Sequence, residues 1–284
     1  MASRDQFQRF LFEHSQVRGA WVQLSDSYRQ IGDQAPYPDS VRQLLGQALV
    51  ASVLMSASLK FEGTLSLQAQ GEGPVRTLMA ECSHDRHIRG LARFDEQSIG
   101  EDGFRALLGE GRMAITITPA TGKRYQGVVP RERDDLAGCL EDYFERSEQI
   151  ATRLFLFADE QRAAGLMLQR LPGHTAEDDE LWERVNHLAR TVEPEELLTL
   201  DSETLLFRLF HEETVRVFDP EPVAFRCSCS RERTLGALEA IGKDECYQLL
   251  DERGAIEMDC QFCHTSYRFN RNDIDHLFTG HTLH

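Results

Sequence analysis

The 284-residue chain is long enough for one large domain or two, and its 41% hydrophobic content is typical of a packed globular protein. Its formal net charge of -16, from 47 acidic and 31 basic residues, argues against nucleic acid or an anionic membrane as the main partner.

The start of the chain is polar and lacks the apolar run of a secretory signal. The least polar stretch, residues 44–59, is sixteen residues long, which is too short to span a bilayer and predicts a buried helix. We therefore expect a cytoplasmic protein. Because the cytosol keeps thiols reduced, the seven cysteines indicate metal or redox chemistry and not a permanent disulfide framework.

Alternation, helical periodicity and turn residues predict the elements of the first part of the chain. In order, these are strands at 7–12 and 18–24, helices at 25–31 and 38–59, an antiparallel meander over 60–94, a hairpin of 113–118 with 124–129, a helix at 134–150, and strands at 153–157 and 163–171. We expect a serine or aspartate to cap the first helix. Strands and helices occur in blocks, which favours an α+β fold, with helices packed on an N-terminal antiparallel sheet domain, over a doubly wound sheet.

Residues 177–219 carry thirteen acidic side chains and four arginines, yet they also show helical apolar periodicity. The recurring apolar residues are Leu181, Val185 and Leu188, and then Leu205, Leu206, Leu209 and Phe210. Such amphipathic helices must lay an apolar stripe on another surface, and dense like charge makes them only weakly stable alone. Two interpretations stay open: a permanently docked connector, or a metastable linker whose stripes are covered only while a folded C-terminal module stands next to it.

Near the end of the chain, four cysteines stand in two close pairs. Cys227 and Cys229 form a C-x-C pair, Cys260 and Cys263 form a C-x-x-C pair, and thirty residues separate the two. Two such pairs can close on one ion as a tetrahedral thiolate site, and soft sulfur ligands favour zinc. A complete set of four leaves no open position for substrate, so we expect one structural Zn²⁺ per chain. An iron–sulfur cluster, or four ordinary cysteines, fit this spacing less well.

Bound zinc would keep the four sulfurs as thiolates and supply much of the folding energy of the short C-terminal region. Arg226, Arg231 and Arg233 flank the first pair. Positive charge near sulfur favours the thiolate and its reaction with oxidants, although these arginines also fit an ordinary solvated surface. A sulfur in a disulfide is a poor zinc ligand, and both pairs are close enough in sequence to oxidise. The residues predict that this region is folded on zinc under reducing conditions and that oxidation can unfold it.

Several segments together point to one family over nearly the whole chain. They are 227–233 (CSCSRER) with 260–263 (CQFC), 140–144 (LEDYF) with 146–149 (RSEQ), 115–119 (ITITP) and 195–200 (EELLTL). With these segments the chain resembles the thirty-three-kilodalton heat-shock chaperones of bacteria, the 33 kDa chaperonin family of redox-regulated holdases.

The resemblance implies an α+β substrate-handling domain at 1–174, a metastable helical linker at 175–220 and a zinc-binding redox-switch domain at 221–284. In that family the reduced, zinc-bound form is inactive, and peroxide with heat, or hypochlorous acid, releases zinc and forms two disulfides. By matching positions, these disulfides would join Cys227 with Cys229 and Cys260 with Cys263. Linker unfolding then exposes apolar surface that protects unfolding client proteins from aggregation without ATP. The resemblance also implies a homodimer in the active form, and we expect a monomer when the protein is reduced.

The remaining candidates for chemistry are weaker. Cys82, Cys139 and Cys246 lie outside the family motif, and we expect small buried apolar side chains, although Cys246 could divert a disulfide in the oxidised protein. His84 and His87 stand near Cys82, but solvated histidines in polar turns are the more common case.

Two other function classes stay open. A thiol-disulfide oxidoreductase would use the C-x-x-C pair, but that pair does not lie in an N-terminal thioredoxin-like βαβ unit. A zinc-ribbon binding module would need a basic surface for nucleic acid, whereas residues 221–284 hold eleven acidic and seven basic side chains.

His264, next to Cys263, is a less favoured alternative ligand for the metal. We expect no enzymatic activity, and the sequence does not indicate which residues bind clients.

Overall fold

The computed structural model describes residues 5–57, 62–100 and 103–279. The chain divides into two compact units, Met1–Arg226 and Cys227–His284. Both contain helices and antiparallel strands, so the α+β class predicted from the sequence is confirmed.

The first unit contains two sheets. Its strands are β1 Gln6–Phe12, β2 Val17–Leu24, β3 Gly63–Gly71, β4 Val75–Ser83, β5 His87–Phe94, β6 Gly111–Pro119, β7 Tyr125–Val129, β8 Ala151–Ala158, β9 Ala163–Arg170, β10 Val215–Val217, β11 Glu221–Pro222 and β12 Ala224–Phe225. The order in sheet A is β10-β1-β2-β9-β8, with β11 also paired to β1, and the order in sheet B is β12-β5-β4-β3-β6-β7. All these pairs are antiparallel except β12 with β5.

One helix lies between the two sheets. The helices of this unit are α1 Asp26–Gly32, α2 Asp39–Ser56, α3 Phe104–Leu108, α4 Leu136–Tyr143, α5 Ala176–Ala189, α6 Pro194–Thr199 and α7 Ser202–Phe210. Thirteen of the eighteen residues of α2 are buried, and α2 contacts strands of both sheets. Every residue of α2 from Ala48 to Ser56 is buried, as expected for a helix segment between two apolar surfaces, and α2 with the facing sides of the sheets forms the main core.

The opposite side of sheet A is covered by α5, α6 and α7. Strand alternation sends Phe7 and Ala20 toward α2, whereas Phe10, Phe12 and Trp21 point to the other side. There they form a second apolar cluster with the apolar stripes of the three helices. The stripes that the sequence predicted therefore pack on sheet A.

After α7 the chain runs back across the first unit as three short strands. The N–H of Ala224 donates to the carbonyl of Arg86 at 3.1 Å, and the N–H of Arg226 donates to the carbonyl of Ile88 at 3.0 Å. Val223, just before Ala224, is buried in the main core. The residue that precedes Cys227 is thus held to strand β5.

Three features differ from the sequence expectations. Helix α1 is capped not by its own serine or aspartate but by Asp5, whose carboxylate accepts the N–H groups of Ser25, Asp26 and Ser27. The helix predicted over 134–150 ends as α4 at Tyr143, and a single π-helical turn, Phe144–Glu148, follows it. Helix α3 was not predicted. The predicted end of α2 at 59 and the predicted start of the meander at 60 lie outside the described residues.

The second unit is a small α+β module. Its elements are α8 Arg231–Ile241, α9 Lys243–Arg253, β13 Ile256–Asp259, β14 Ser266–Phe269 and α10 Arg271–Thr279. Strands β13 and β14 form an antiparallel hairpin.

Candidate metal centre

The two cysteine pairs are presented by two tight backbone features of the second unit. Cys227 and Cys229 precede α8, whose N-terminus is capped by Ser230: its hydroxyl accepts the N–H of Arg233 at 3.2 Å. Cys260 and Cys263 lie in the turn between β13 and β14.

The turn of the second pair is closed by backbone hydrogen bonds. The N–H of Cys260 donates to the carbonyl of Thr265 at 3.0 Å, and the N–H of His264 donates to the carbonyl of Cys260 at 2.8 Å. His264 completes the turn in the left-handed region, with φ of 53°. This folding back of the chain points both sulfurs to the same side.

The four sulfurs form one cluster, and every pair of them is within 4.8 Å. The Sγ atoms of Cys227 and Cys260 are 3.6 Å apart, and those of Cys229 and Cys263 are 3.3 Å apart. A tetrahedral thiolate site with metal–sulfur bonds of about 2.3 Å has sulfurs about 3.8 Å apart. The arrangement therefore fits a metal ion, and none of the four cysteines is in a disulfide. Within the described residues, the cluster consists of these four cysteines and does not include His264.

Two hydroxyl groups that sequence reasoning missed contact the sulfurs. The Tyr267 hydroxyl donates to Cys229 Sγ at 3.1 Å, and the Thr265 hydroxyl lies 3.2 Å from Cys263 Sγ. Hydroxyl donors stabilise thiolate charge, as expected around a metal-bound sulfur. The sequence spacing could have revealed them. Thr265 and Tyr267 stand two and four positions after Cys263, and alternate residues face the same side where a chain enters a strand.

Three thiols of the cluster differ in acidity. Burial raises the pKa of Cys227 to about 12 and also raises the pKa of Cys229. Burial acts in the same direction on Cys263, but hydrogen bonds from the hydroxyl and N–H of Thr265 and from Cys229 outweigh it and lower its pKa to about 7. Thiols whose pKa values differ in this way do not all ionise near neutral pH, whereas a bound divalent cation would hold the sulfurs of the cluster as thiolates.

The flanking arginines contact backbone, carboxylate and aromatic groups. Arg231 donates to the carbonyl of Arg268, pairs with Asp273 at 2.8 Å and stacks over Phe269. Arg233 donates to the carbonyl and hydroxyl of Ser228. These contacts order the loop of the first cysteine pair.

The apolar core of this unit is small. Within its described residues, the buried cluster consists of Leu238, Cys246, Leu250, Ile256, Phe269 and Ile274. A module of this size rarely gains enough stability from burial alone. A metal bound by the four sulfurs would compensate for the small core.

The other three cysteines are fully buried, as expected from the sequence. Burial raises the pKa of Cys82 to about 11 and also raises the pKa values of Cys139 and Cys246. The Cys82 thiol donates to the Ser56 hydroxyl at 3.3 Å, while His84 contacts Asp85 and the N–H of Gly63. Protonated, buried thiols are poor nucleophiles, which is consistent with a packing role.

Fold and site together define an α+β protein with a C-terminal thiol centre that can hold a metal ion. The family model described as Hsp33 protein matches residues 5–270. A 33 kDa chaperonin of Pseudomonas aeruginosa is 49% identical over 286 residues, which cover 99% of this chain and 96% of that protein. A 33 kDa chaperonin of Nitrosococcus oceani is 48% identical over 279 residues, covering 98% of this chain and 96% of that protein.

The chain belongs to the Hsp33 protein family, so the resemblance seen in the sequence is confirmed. The crystal structure of the 33 kDa chaperonin of Thermotoga maritima has the same fold, with a TM-score of 0.84 over 97% of this chain and 98% of that one, at 20% sequence identity. Among the described residues, no helix is both long and apolar enough to cross a membrane.

Proposed function

We propose that this protein is a redox-regulated, ATP-independent holdase chaperone that is inactive when reduced and metal-bound. Family membership supports a chaperone function. The observation that carries the redox part is the cluster of four cysteine sulfurs in a unit whose described apolar core has six residues. Such a unit folds only while the sulfurs are held together.

The metal is zinc in this proposal, held by Cys227, Cys229, Cys260 and Cys263. Sulfur ligands favour zinc over harder divalent ions, and a four-thiolate site is structural because it leaves no position for substrate. When bound, the ion supplies charge compensation and folding energy and takes no part in a reaction.

Oxidation would remove this support. Each disulfide releases two electrons from two thiolates, and hydrogen peroxide or hypochlorous acid accepts them. We assign the disulfides to Cys227 with Cys229 and Cys260 with Cys263, following the family positions. Once its sulfurs pair with each other, the site loses zinc and the C-terminal module unfolds.

The signal would reach the client surface through the chain itself. Arg226, bonded to Ile88, directly precedes Cys227, so unfolding at the cysteines pulls on the segment that contains β10, β11 and β12. This segment follows α7. In the proposal, residues 1–174 handle clients, 175–220 form the linker and 221–284 form the switch.

Undocking of α5, α6 and α7 would expose the apolar side of sheet A. The side chains uncovered there include Phe10, Phe12 and Trp21, which are almost fully buried when the helices are docked. An apolar surface of this kind binds unfolded polypeptides. We propose that these polypeptides are the partners, that the protein acts in the cytoplasm without nucleic acid or membrane, and that it is a monomer when reduced and a homodimer when active.

The proposal is tested by light scattering of a thermally unfolding client protein. The oxidised, zinc-free chain is expected to suppress scattering without nucleotide, whereas the reduced, zinc-loaded chain does so weakly. Equal suppression by both forms would refute redox gating. Catalytic turnover in insulin reduction would instead favour a thiol-disulfide oxidoreductase, and salt-sensitive retention on nucleic acid would favour a zinc-ribbon binder.

A further inference from the structure

A small cavity opens on the side of sheet A that faces α2, beyond the last turn of that helix. Its volume is about 220 Å³, and Ala57 forms part of its wall. The side chains that matter for its chemistry are Arg9, Leu11, Arg18, Met167, Gln169 and Phe218. We call this cavity the arginine pocket.

The sheet register brings the polar residues of the pocket together. Leu11 is paired with Arg18 and Arg18 with Gln169, so these three side chains form one row across β1, β2 and β9. Arg9 stands in the next row, opposite Ala20, on the same side of the sheet. Two guanidinium groups therefore face one cavity.

Arg18 is held in a fixed orientation. Its Nε and Nη2 atoms donate to Gln169 Oε1 at 3.2 Å and 2.9 Å. Gln169 is itself 1% exposed, and its amide nitrogen donates to the Thr152 hydroxyl at 3.3 Å. The hydrogen bonds to Gln169 use the Nε and Nη2 atoms on one edge of the guanidinium group, and Nη1 takes no part in them.

Arg18 lacks an acidic partner in the described part of the chain. No carboxylate among residues 5–57, 62–100 and 103–279 lies within ion-pair distance of it, and the charged neighbour is Arg9. Burial, and then the positive charge of Arg9, lower the pKa of Arg18. Arg9 pairs with Glu221 at 3.1 Å, but Arg86 shares that carboxylate. Partly buried charges are normally paired, so the position of Arg18 beside a cavity, with a second arginine next to it, indicates an anionic ligand.

The remaining walls are apolar. Leu11, Met167 and the ring of Phe218 line the pocket, and the guanidinium groups of Arg9 and Arg216 lie 5.8 Å and 5.5 Å from the Phe218 ring centroid. A bare inorganic anion would leave these walls in contact with water. A carboxylate attached to one small apolar group fits both the charge and the volume.

We propose that the arginine pocket binds a carboxylate that carries an apolar substituent, with Arg18 as the principal anion contact and Phe218 as the apolar wall. Two sources share this chemistry: the C-terminal residue of an extended polypeptide, and a free aliphatic acid. The arginine pocket is distinct from the client surface proposed above, because it lies on the α2-facing side of sheet A.

The test is isothermal titration of the reduced, zinc-loaded full-length chain with four probes: N-acetyl-L-leucine, its amide, hexanoate and inorganic phosphate. We expect N-acetyl-L-leucine to bind with one site per chain and the uncharged amide to bind at least about tenfold more weakly. If hexanoate binds as tightly as N-acetyl-L-leucine, the pocket is a general site for aliphatic acids. If hexanoate binds more weakly, the pocket is a site for peptide C-termini. Equal binding of acid and amide, binding of phosphate alone, or no binding of any probe would overturn the proposal.

Variants assign the contact. Arg18→Gln should weaken the acid at least about tenfold, whereas Arg112→Gln, at an exposed arginine on β6, should leave it unchanged. Phe218→Ala, at a residue that is 37% exposed, should weaken N-acetyl-L-leucine but keep the preference for acid over amide. Arg18→Lys keeps the positive charge but lacks the planar guanidinium group, so its affinity for the acid should lie between those of the parent chain and Arg18→Gln. If Arg18→Gln fails to fold, Arg18→Lys still tests whether Arg18 is the contact. Unchanged affinity in a folded Arg18 variant would exclude Arg18 as the contact.

Discussion

The apolar cluster under α5, α6 and α7 and the apolar core of the C-terminal unit differ in size. Among the described residues, the first contains eighteen buried side chains and joins three helices to one side of sheet A, whereas the second contains six. Burial alone can hold the first together, while the second needs a further constraint. The four-sulfur cluster lies in the unit that needs it.

This difference implies two thresholds in the proposed activation. In the proposal, oxidation acts directly on the C-terminal unit, because loss of a bound metal would remove the main support of a six-residue core. Undocking of α5, α6 and α7 requires the exposure of a much larger apolar surface. We therefore expect these helices to undock only slowly after metal loss alone. Heat, which destabilises the docked helices, would then cooperate with oxidation.

The largest expected effect is loss of the metal. Cys229→Ser removes one of four thiolates, and structural zinc sites of this type contribute apparent free energies of roughly 10–16 kcal/mol. We expect zinc content to fall from one ion per chain toward zero and residues 227–279 to become protease-sensitive under reductant. Cys82→Ala, at a buried thiol outside the cluster, should keep its zinc. An unchanged metal content in Cys229→Ser would remove that residue from the ligand set.

The second prediction concerns the docked helices. Phe210 on α7 is 1% exposed and packs edge to face on Phe12 at 5.2 Å, so Phe210→Ala should cost about 3–5 kcal/mol of docking stability. The reduced, zinc-loaded variant should then gain holdase activity in light scattering. Phe207→Ala is a matched control, because Phe207 lies on the same helix and is 73% exposed. Equal holdase activity of both variants in the reduced state would mean that docking of α7 does not keep the reduced protein inactive.

The third prediction concerns the segment between the two clusters. Arg86 is 7% exposed and donates to Glu221 at 3.0 Å, so Glu221→Gln leaves a buried guanidinium without its carboxylate. We expect a loss of about 1–3 kcal/mol and faster amide exchange at residues 221–226. Arg9→Gln removes the half-exposed partner of the same carboxylate and should cost less than about 1 kcal/mol. Slow exchange in Glu221→Gln would show that strand pairing alone holds the segment.

Local patterns made most elements of residues 5–210 and the cysteine centre predictable. Alternation located β1 and β2 to within one residue, and the C-x-C and C-x-x-C spacings selected the four sulfurs that cluster. Both patterns involve residues that are close together in the sequence, so they can be recognised from one sequence alone.

Long-range partners were not predictable in the same way. Periodicity revealed the apolar stripes of α5 and α7 but not the surface that covers them, because an amphipathic helix carries no record of its partner. The cap of α1 comes from Asp5, twenty residues before Ser25, and the pairing of 224–225 with β5 joins segments far apart in sequence. These contacts are set by tertiary packing and became visible only in the fold.

The smallest expected effect lies at the start of α5. Asp178 accepts the N–H of Thr175 at 2.7 Å and the N–H of Gln16 at 2.8 Å, which ties the helix N-terminus to the chain just before β2. These backbone hydrogen bonds hold the pKa of Asp178 below its usual range. A depressed folded-state pKa stabilises the protein above the unfolded-state value of about 3.9, and the contribution is lost as the pH falls through the folded-state value. Asp178→Asn should therefore cost about 1 kcal/mol between pH 5 and 8, in the range of a lost helix cap.

Amide exchange of α5 is measured from neutral pH to about pH 3 in the parent chain and in Asp178→Asn, because acid release of the metal affects both chains and cancels in their difference. The difference between the parent chain and Asp178→Asn should be constant above about pH 5 and shrink below about pH 4 as the parent carboxylate becomes protonated. Glu180→Gln, at an exposed carboxylate of the same helix, should show no such difference. If the two variants exchange alike at neutral pH, the carboxylate of Asp178 does not contribute to the docking of α5, and the helix is held by its apolar stripe alone.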